Sequence, residues 1–391
     1  MTDHVASIAL PRLMRIGPGA AGELGEVLRS LGLARPFLVT DAYLTGSGTV
    51  SRVTGQLAAR DITVQVYDRT RPDPTTSSVQ DAVTALAEGD FDCVIGLGGG
   101  SPMDTAKAVA LLGTTGRPMR DYAAPTVTDT PALPLIAVPT TAGSGSECTR
   151  FTIITDDSGD TDEKMLCAGL AFLPTAALVD PLLTLAMPPR LTADTGIDAL
   201  THAIEAYVSK RASPFTDGLA LTAMSAIART LRTAYAQPDD LAARSSMMLA
   251  STQAGLAFSN SSVALVHGMS RPIGAHFHVA HGLSNAMLLP TVTEYSLSAA
   301  PGRYADCARA MNLVGADASD EAAGHALLAE LRLLNSDLAV PSPAQQGIGL
   351  EGWERATPRM AAQALASGSP ANNPRVPDQA AIETLYRSLI A

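Results

Sequence analysis

Two short segments of this 391-residue chain hold five of its seven histidines, with acidic side chains beside them. One is Gly196-Ile-Asp-Ala-Leu-Thr-His-Ala-Ile-Glu205; the other, Val266 to Gly282, contains His267, His276, His278 and His281. Asp198 and His202 stand four apart, so on a helix both side chains leave one face a turn apart. Of the seven histidines, four fall within fifteen positions and His202 is a fifth, while His4 and His325 are scattered. A single histidine beside glycine is commonly a hydrogen-bonded core residue, but burying several without partners is costly. One carboxylate with two or three neutral imidazoles makes a mixed O/N shell suited to Fe(II), Zn(II), Co(II) or Mn(II), with one position open for a substrate oxygen. An open shell is catalytic rather than structural.

The elements that must present these residues are helical. Ala199, Leu200, Ala203, Ile204 and Tyr207 give Thr192 to Ser209 a helical apolar stripe. From Leu182 onward the same periodicity predicts helices over 191–209, 214–235, 239–258, 261–275, 281–296, 300–311, 319–335 and 378–390.

The first half alternates strand and helix, which predicts a parallel α/β sheet. Strands are expected at 36–41, 62–67, 91–97, 135–139, 151–155 and 176–179, with an acidic turn from Asp156 to Glu163. Phe91 to Leu97 runs directly into Gly98-Gly-Gly-Ser-Pro-Met-Asp-Thr-Ala-Lys107. Glycines at a strand-to-helix turn let backbone N–H groups approach phosphate oxygens, and the helix start attracts the anion. Asp104 and Lys107 fall on the first turns of that helix. After the 135–139 strand, Thr140, Thr141 and Ser144 can donate to phosphate or ribose oxygens from the same end of the sheet. Asp41, at the tip of the 36–41 strand, suits either the ribose hydroxyls or a helix cap. Pro181, Pro188 and Pro189 mark the change of character, giving a dinucleotide-binding α/β domain over 1–182 and an all-helical domain over 183–391.

Hydrophobic residues make up 46% of the chain and charged ones 17%, enough for a large core and too apolar for disorder. The net charge of −11, with no basic stripe, disfavours nucleic acid and anionic membrane as partners. Four scattered cysteines without C-x-x-C pairing, and no apolar run approaching ~18 residues, lead us to expect a reduced, cytoplasmic protein.

With these motifs in this order, the chain resembles the iron-containing (group III) alcohol dehydrogenase family over essentially its whole length. The resemblance implies a dinucleotide-binding domain, a helical domain of dehydroquinate-synthase-like type, and an active site between them. It assigns a divalent metal, Fe(II) before Zn(II), to Asp198, His202, His267 and His281. NAD(H) is assigned to Gly98, Gly99, Gly100, Ser101, Asp104, Lys107, Thr140, Thr141 and Ser144, with Asp41 on the ribose. Phe258 falls where the family often carries an aromatic near the nicotinamide and substrate; otherwise it is a core aromatic. Two departures matter: the turn after the second strand, often Asn-Pro-Thr in relatives, reads Asp73-Pro-Thr here, and a further histidine found four residues after the third ligand in many members is Arg271, a fixed cation with forked donors. That implies a polar or anionic substrate, or else a salt bridge, and leaves His278 or His276 for the proton. The implied reaction is reversible hydride transfer between a primary alcohol and its aldehyde, in a protein that is commonly dimeric. Alternatives are a lyase or cyclase of dehydroquinate synthase type and a catalytically silent cofactor-binding protein.

Overall fold

The computed structural model describes residues 5–159 and 162–390; His4 and part of the 156–163 turn lie outside them. The chain divides into two compact units that meet in sequence between Ala186 and Met187.

The N-terminal unit contains strands β1 (Leu13–Ile16), β2 (Pro36–Val39), β3 (Gln65–Tyr67), β4 (Cys93–Gly98), β5 (Leu135–Pro139), β6 (Phe151–Asp156), β7 (Glu163–Ala168) and β8 (Ala176–Val179). Its helices are α1 (Leu24–Ser30), α2 (Ala42–Gly46), α3 (Thr49–Ala58), α4 (Thr76–Leu86) and α5 (Gly100–Thr115). Six strands form one parallel sheet in the order β1-β8-β5-β4-β2-β3. Every residue of β2, β4, β5 and β8 is buried, because a parallel sheet is covered on both faces and its strands must be apolar throughout. The chain runs from β2 outward to β3, returns to β4, and leaves for β5 on the other side. The connections therefore diverge at the β2–β4 junction, where ligands of such sheets bind at the carboxyl ends.

The expected strand at 151–155 does not join this sheet. β6 pairs antiparallel with β7 as a separate hairpin, Phe151 opposite Ala168 and Asp156 opposite Glu163. The alternating burial of Met165 and Cys167 in β7 is a period-two signal only six residues long, hidden behind the acidic turn.

The C-terminal unit is helical: α6 (Pro189–Val208), α7 (Pro214–Ala236), α8 (Leu241–Ser261), α9 (Leu265–Phe277), α10 (His281–Ser296), α11 (Pro301–Ala310), α12 (Asp320–Asp337), α13 (Leu350–Ala366) and α14 (Gln379–Ser388). Apolar periodicity does not predict α13, which Gly352 and Pro358 interrupt. Its stripe of Trp353, Thr357, Met360, Ala361 and Ala364 is nonetheless buried at helical spacing. Helix α6 is buried at sixteen named positions, polar ones included, so it forms the centre of this unit and not an amphipathic cover. Among the described residues no helix is long and apolar enough to cross a membrane.

Candidate functional site

In the C-terminal unit three helices bring their donors together. Asp198 and His202 leave one face of α6, His267 comes from the first turn of α9, and His281 is the first residue of α10. Gly282 makes the last approach possible: a Cβ there would stand 2.4 Å from the carbonyl oxygen of Asp194, so only glycine lets α10 begin against the α6 backbone. Asp198 Oδ1 lies 3.5 Å from His267 Nε2 and 3.9 Å from the Nε2 atoms of both His202 and His281. Donors about 2.1 Å from a tetrahedral ion stand about 3.4 Å apart; Asp198, His267 and His281 each offer an atom within 4.8 Å of the others, a grouping that fits one divalent cation, whereas His202 approaches Asp198 but lies outside that grouping. Side-chain exposure is 6% for Asp198, 5% for His202 and 3% for His267, but 44% for His281, which gives the group one solvent-facing side.

The protonation of Asp198 and His202 suits metal binding, whereas the neighbours of His267 favour its charged form. Burial raises the Asp198 carboxyl, but attraction to His202 and His281 and the bond with His267 outweigh it and hold the group ionised, well below the usual range. Burial pushes His202 down to about 3, leaving a neutral imidazole with a lone pair to offer. Burial also lowers His267, but hydrogen bonds with Asp198 and Glu205 reverse the effect and raise it. Phe258 stacks on His202 with ring centres 4.1 Å apart, and His202 stacks on His267 at 4.5 Å, fixing both rings.

Two residues beside these donors have no part in the sequence reading. Glu205, seven positions after Asp198 on α6, accepts the backbone N–H groups of Ala264 (2.9 Å) and Val266 (2.6 Å) and lies 2.7 Å from His267 Nδ1. Already an acceptor twice, it takes the Nδ1 proton and leaves His267 Nε2 as the lone-pair atom. Asn285, four after His281, places Nδ2 2.6 Å from Asp198 Oδ1. The i+7 and i+4 spacings carry both signals, but polar residues one turn from a ligand are too common to stand out.

Arg271 is half-buried, one turn after His267, and donates from Nη1 to Ser369 Oγ at 3.0 Å. No carboxylate is in ion-pair contact with it among the described residues. Burial lowers its pKa, and Glu205 offsets this only in part. His276 is bonded to Gln363 Oε1 at 2.9 Å, whereas His278 is exposed in a left-handed turn, φ 53°, that ends α9.

In the N-terminal unit, β2, β4 and β5 are adjacent and parallel, with Val39 opposite Gly96 and Gly98 opposite Pro139. Their carboxyl ends therefore place Asp41, the glycine turn and Thr140-Thr141 along one edge. Helix α5 starts at Gly100 with no side-chain cap, leaving its first N–H groups available to an anion. Gly98 has φ +151°, and a Cβ would meet Pro102 Cγ at 2.5 Å. Thr141 and Ser144 pack over the same turn, Thr141 Cγ2 3.2 Å from a Cβ at Gly99 and Ser144 Cβ 3.8 Å from one at Gly100. Asp41 caps α2, accepting from Leu44 N at 2.9 Å, which leaves its other oxygen for a ribose.

Lys107 and Asp104 require correction. Lys107 is 0% exposed, and its ammonium donates to Thr149 O (3.0 Å), Thr149 Oγ1 (3.0 Å) and Phe151 O (2.7 Å). Three donors spent on three acceptors leave none for a phosphate. Asp104 accepts from Ser146 Oγ at 3.1 Å and Ile153 N at 3.2 Å. The pair pins the segment after β5 against α5, and so acts on the cofactor turn only through the backbone.

Comparison with known proteins decides the family. Residues 11–181 match the iron-containing alcohol dehydrogenase model, and residues 192–390 match the Fe-containing alcohol dehydrogenase family C-terminal model. The chain belongs to the iron-containing alcohol dehydrogenase family. Long-chain-alcohol dehydrogenase 1 of Geobacillus thermodenitrificans is 41% identical over 340 residues, 86% of this chain and 85% of its own. NAD-dependent methanol dehydrogenase of Bacillus methanolicus is 35% identical over 368 residues, 94% of this chain and 95% of its own. The crystal structure of 1,3-propanediol oxidoreductase superposes with a TM-score of 0.94 at 35% identity, covering 99% of this chain and all of that one. As an iron-containing alcohol dehydrogenase, the protein is a metal-dependent, NAD-linked oxidoreductase of alcohols and aldehydes, and the lyase alternative is not favoured.

Proposed function

We propose that one divalent cation, Fe(II) before Zn(II), is held by Asp198, His202, His267 and His281, and that the substrate is a primary alcohol or its aldehyde bearing a polar or anionic group. The convergence of Asp198, His267 and His281, with His202 3.9 Å from Asp198, supports the reading most directly. A cation bound there supplies Lewis acidity to the substrate oxygen, lowering the pKa of the alcohol or polarising the carbonyl. The protein's own residues do the rest. Glu205 sets the His267 tautomer, and the Phe258 stack keeps the imidazole planes fixed.

Gly98, Gly99, Gly100 and Ser101 offer backbone donors to the pyrophosphate, Thr140, Thr141 and Ser144 line the same edge, and the free oxygen of Asp41 takes the ribose and repels a 2′-phosphate. A nicotinamide cofactor held there would supply the hydride acceptor or donor for the alcohol–aldehyde interconversion. His278 is the proton outlet in this proposal, supported by its exposed imidazole where the ring of His276 is committed to Gln363. Arg271, without a carboxylate partner, is the group that would read an anionic substituent.

We also take the protein to be a cytoplasmic homodimer. The four cysteines are buried thiols outside any disulfide, and exposed Leu10 and Ile16 lie just before and at the end of edge strand β1.

His267→Ala is expected to lower bound metal and turnover while NADH binding, followed by fluorescence, is retained. Full activity in metal-free H267A would overturn the metal reading. For Arg271, a panel of neutral and acid-bearing aldehydes should show KM rising for the acidic ones only in R271M; parallel changes for both would remove the anion role.

A further inference from the structure

We propose that Asn285 is a positioning residue of the cation site, orienting the Asp198 carboxylate toward the point that the imidazoles of His267 and His281 also border. This rests on the metal reading above. Asn285 is 0% exposed and follows His281 by four positions on α10, so both side chains leave the same face. Its Nδ2 lies 2.6 Å from Asp198 Oδ1, 3.2 Å from His267 Nε2 and 3.3 Å from His281 Nε2.

The chemistry fixes which end of the amide faces the group. Reversed, its carbonyl oxygen would stand at the same short distance from an ionised carboxylate oxygen, so only the N–H end is compatible. An NH2 group has two hydrogens for these three acceptors. The short bond goes to the carboxylate; the one Nε2 lone pair of each imidazole cannot accept from the amide and bind a cation at once, so these rings lie beside the amide and keep their lone pairs for the ion. Asp198 Oδ1 thus spends one lone pair on Asn285 and is held as a one-oxygen ligand.

The other end of the amide supports this reading. Asn285 Oδ1 is buried with no partner among the described residues. An unsatisfied buried acceptor costs stability that an apolar side chain of the same shape avoids, so the amide contributes through its N–H. A purely structural asparagine would have both ends bonded.

Asn285→Leu keeps the volume and removes both polar ends. Metal-stripped full-length protein is titrated with Co(II), following its visible absorption bands, beside NADH binding and the thermal midpoint. N285L is expected to bind Co(II) about 10–100-fold more weakly with altered bands, with NADH affinity unchanged and the midpoint not lowered. Asn285→Ala, which cannot overpack, should show the same weakening if the leucine variant misfolds. Wild-type Co(II) affinity and bands in either variant would overturn the role of Asn285 alone. Failure of the unmodified protein to bind Co(II), or undiminished binding in H267A, would overturn the metal reading beneath it.

Discussion

The carboxylate of Glu205 joins α6 to α9 through His267, accepting from its Nδ1 at 2.7 Å while also taking the N–H groups of Ala264 and Val266 at the start of α9. One side chain therefore positions both a helix and the ring that this helix carries. Glu205→Gln keeps the size but can accept at only one of its two ends, so a buried N–H loses its partner. The expected cost is about 1–3 kcal/mol in urea unfolding and about 10–100-fold in metal affinity. Unchanged metal affinity in E205Q would show that the bond serves only the helix.

The conformation of Gly98 is one that side chains rarely adopt, and the space for a Cβ is already filled by Pro102. Gly98→Ala must therefore move the start of α5 away from the end of β4. NADH affinity should fall by more than about 10-fold, because the backbone donors no longer converge on the pyrophosphate. Bound metal, measured on the same sample, should stay at the unmodified level, since the metal donors belong to the other unit.

Asp41 combines a cap with a charge, and Asn separates the two. Asparagine caps a helix as well as aspartate does, so Asp41→Asn should keep the thermal midpoint, whereas Asp41→Ala should lose about 1 kcal/mol. If the charge repels a 2′-phosphate, D41N should narrow the ratio of kcat/KM for NAD over NADP. An unchanged ratio would leave Asp41 as a cap only.

Lys107 supplies a pH signature. Burial lowers its pKa from 10.5 to about 8, with Asp104 opposing. Between these values the unfolded chain holds a proton that the folded one has lost, so stability rises with pH across that window. The cost of the buried charge is fully present below about pH 8 and is relieved as pH rises toward 10.5. Denaturant unfolding at pH 7 and pH 9.5 should therefore show the protein gaining stability relative to Lys107→Met as pH rises. A pH-independent difference between the two would refute this.

Much of the N-terminal unit is legible before folding. Continuous apolar runs give β2, β4, β5 and β8, and the glycine turn after β4 follows from its local sequence. These are properties of one segment at a time, set by periodicity and by backbone freedom at glycine. The β6–β7 hairpin and α13 are less legible, because a short two-residue alternation and a helix containing Gly352 and Pro358 give weak local signals. Lys107 shows a different limit: its spacing from the glycine turn suggests an anion partner, yet three carbonyl and hydroxyl oxygens some forty residues later take all its protons.

The same division runs through the metal donors. By itself the sequence determined that Asp198 and His202 share a helix face and that His267 and His281 lie close by in the chain, since helical spacing fixes neighbours along one element. Only the tertiary structure decided that three helices bring Asp198, His267 and His281 together, that Glu205 and Asn285 bond to members of this group, and that His281 faces solvent. Those relationships depend on how closely α10 approaches α6 at Gly282, and contact between helices is set by packing that periodicity along a single helix does not encode.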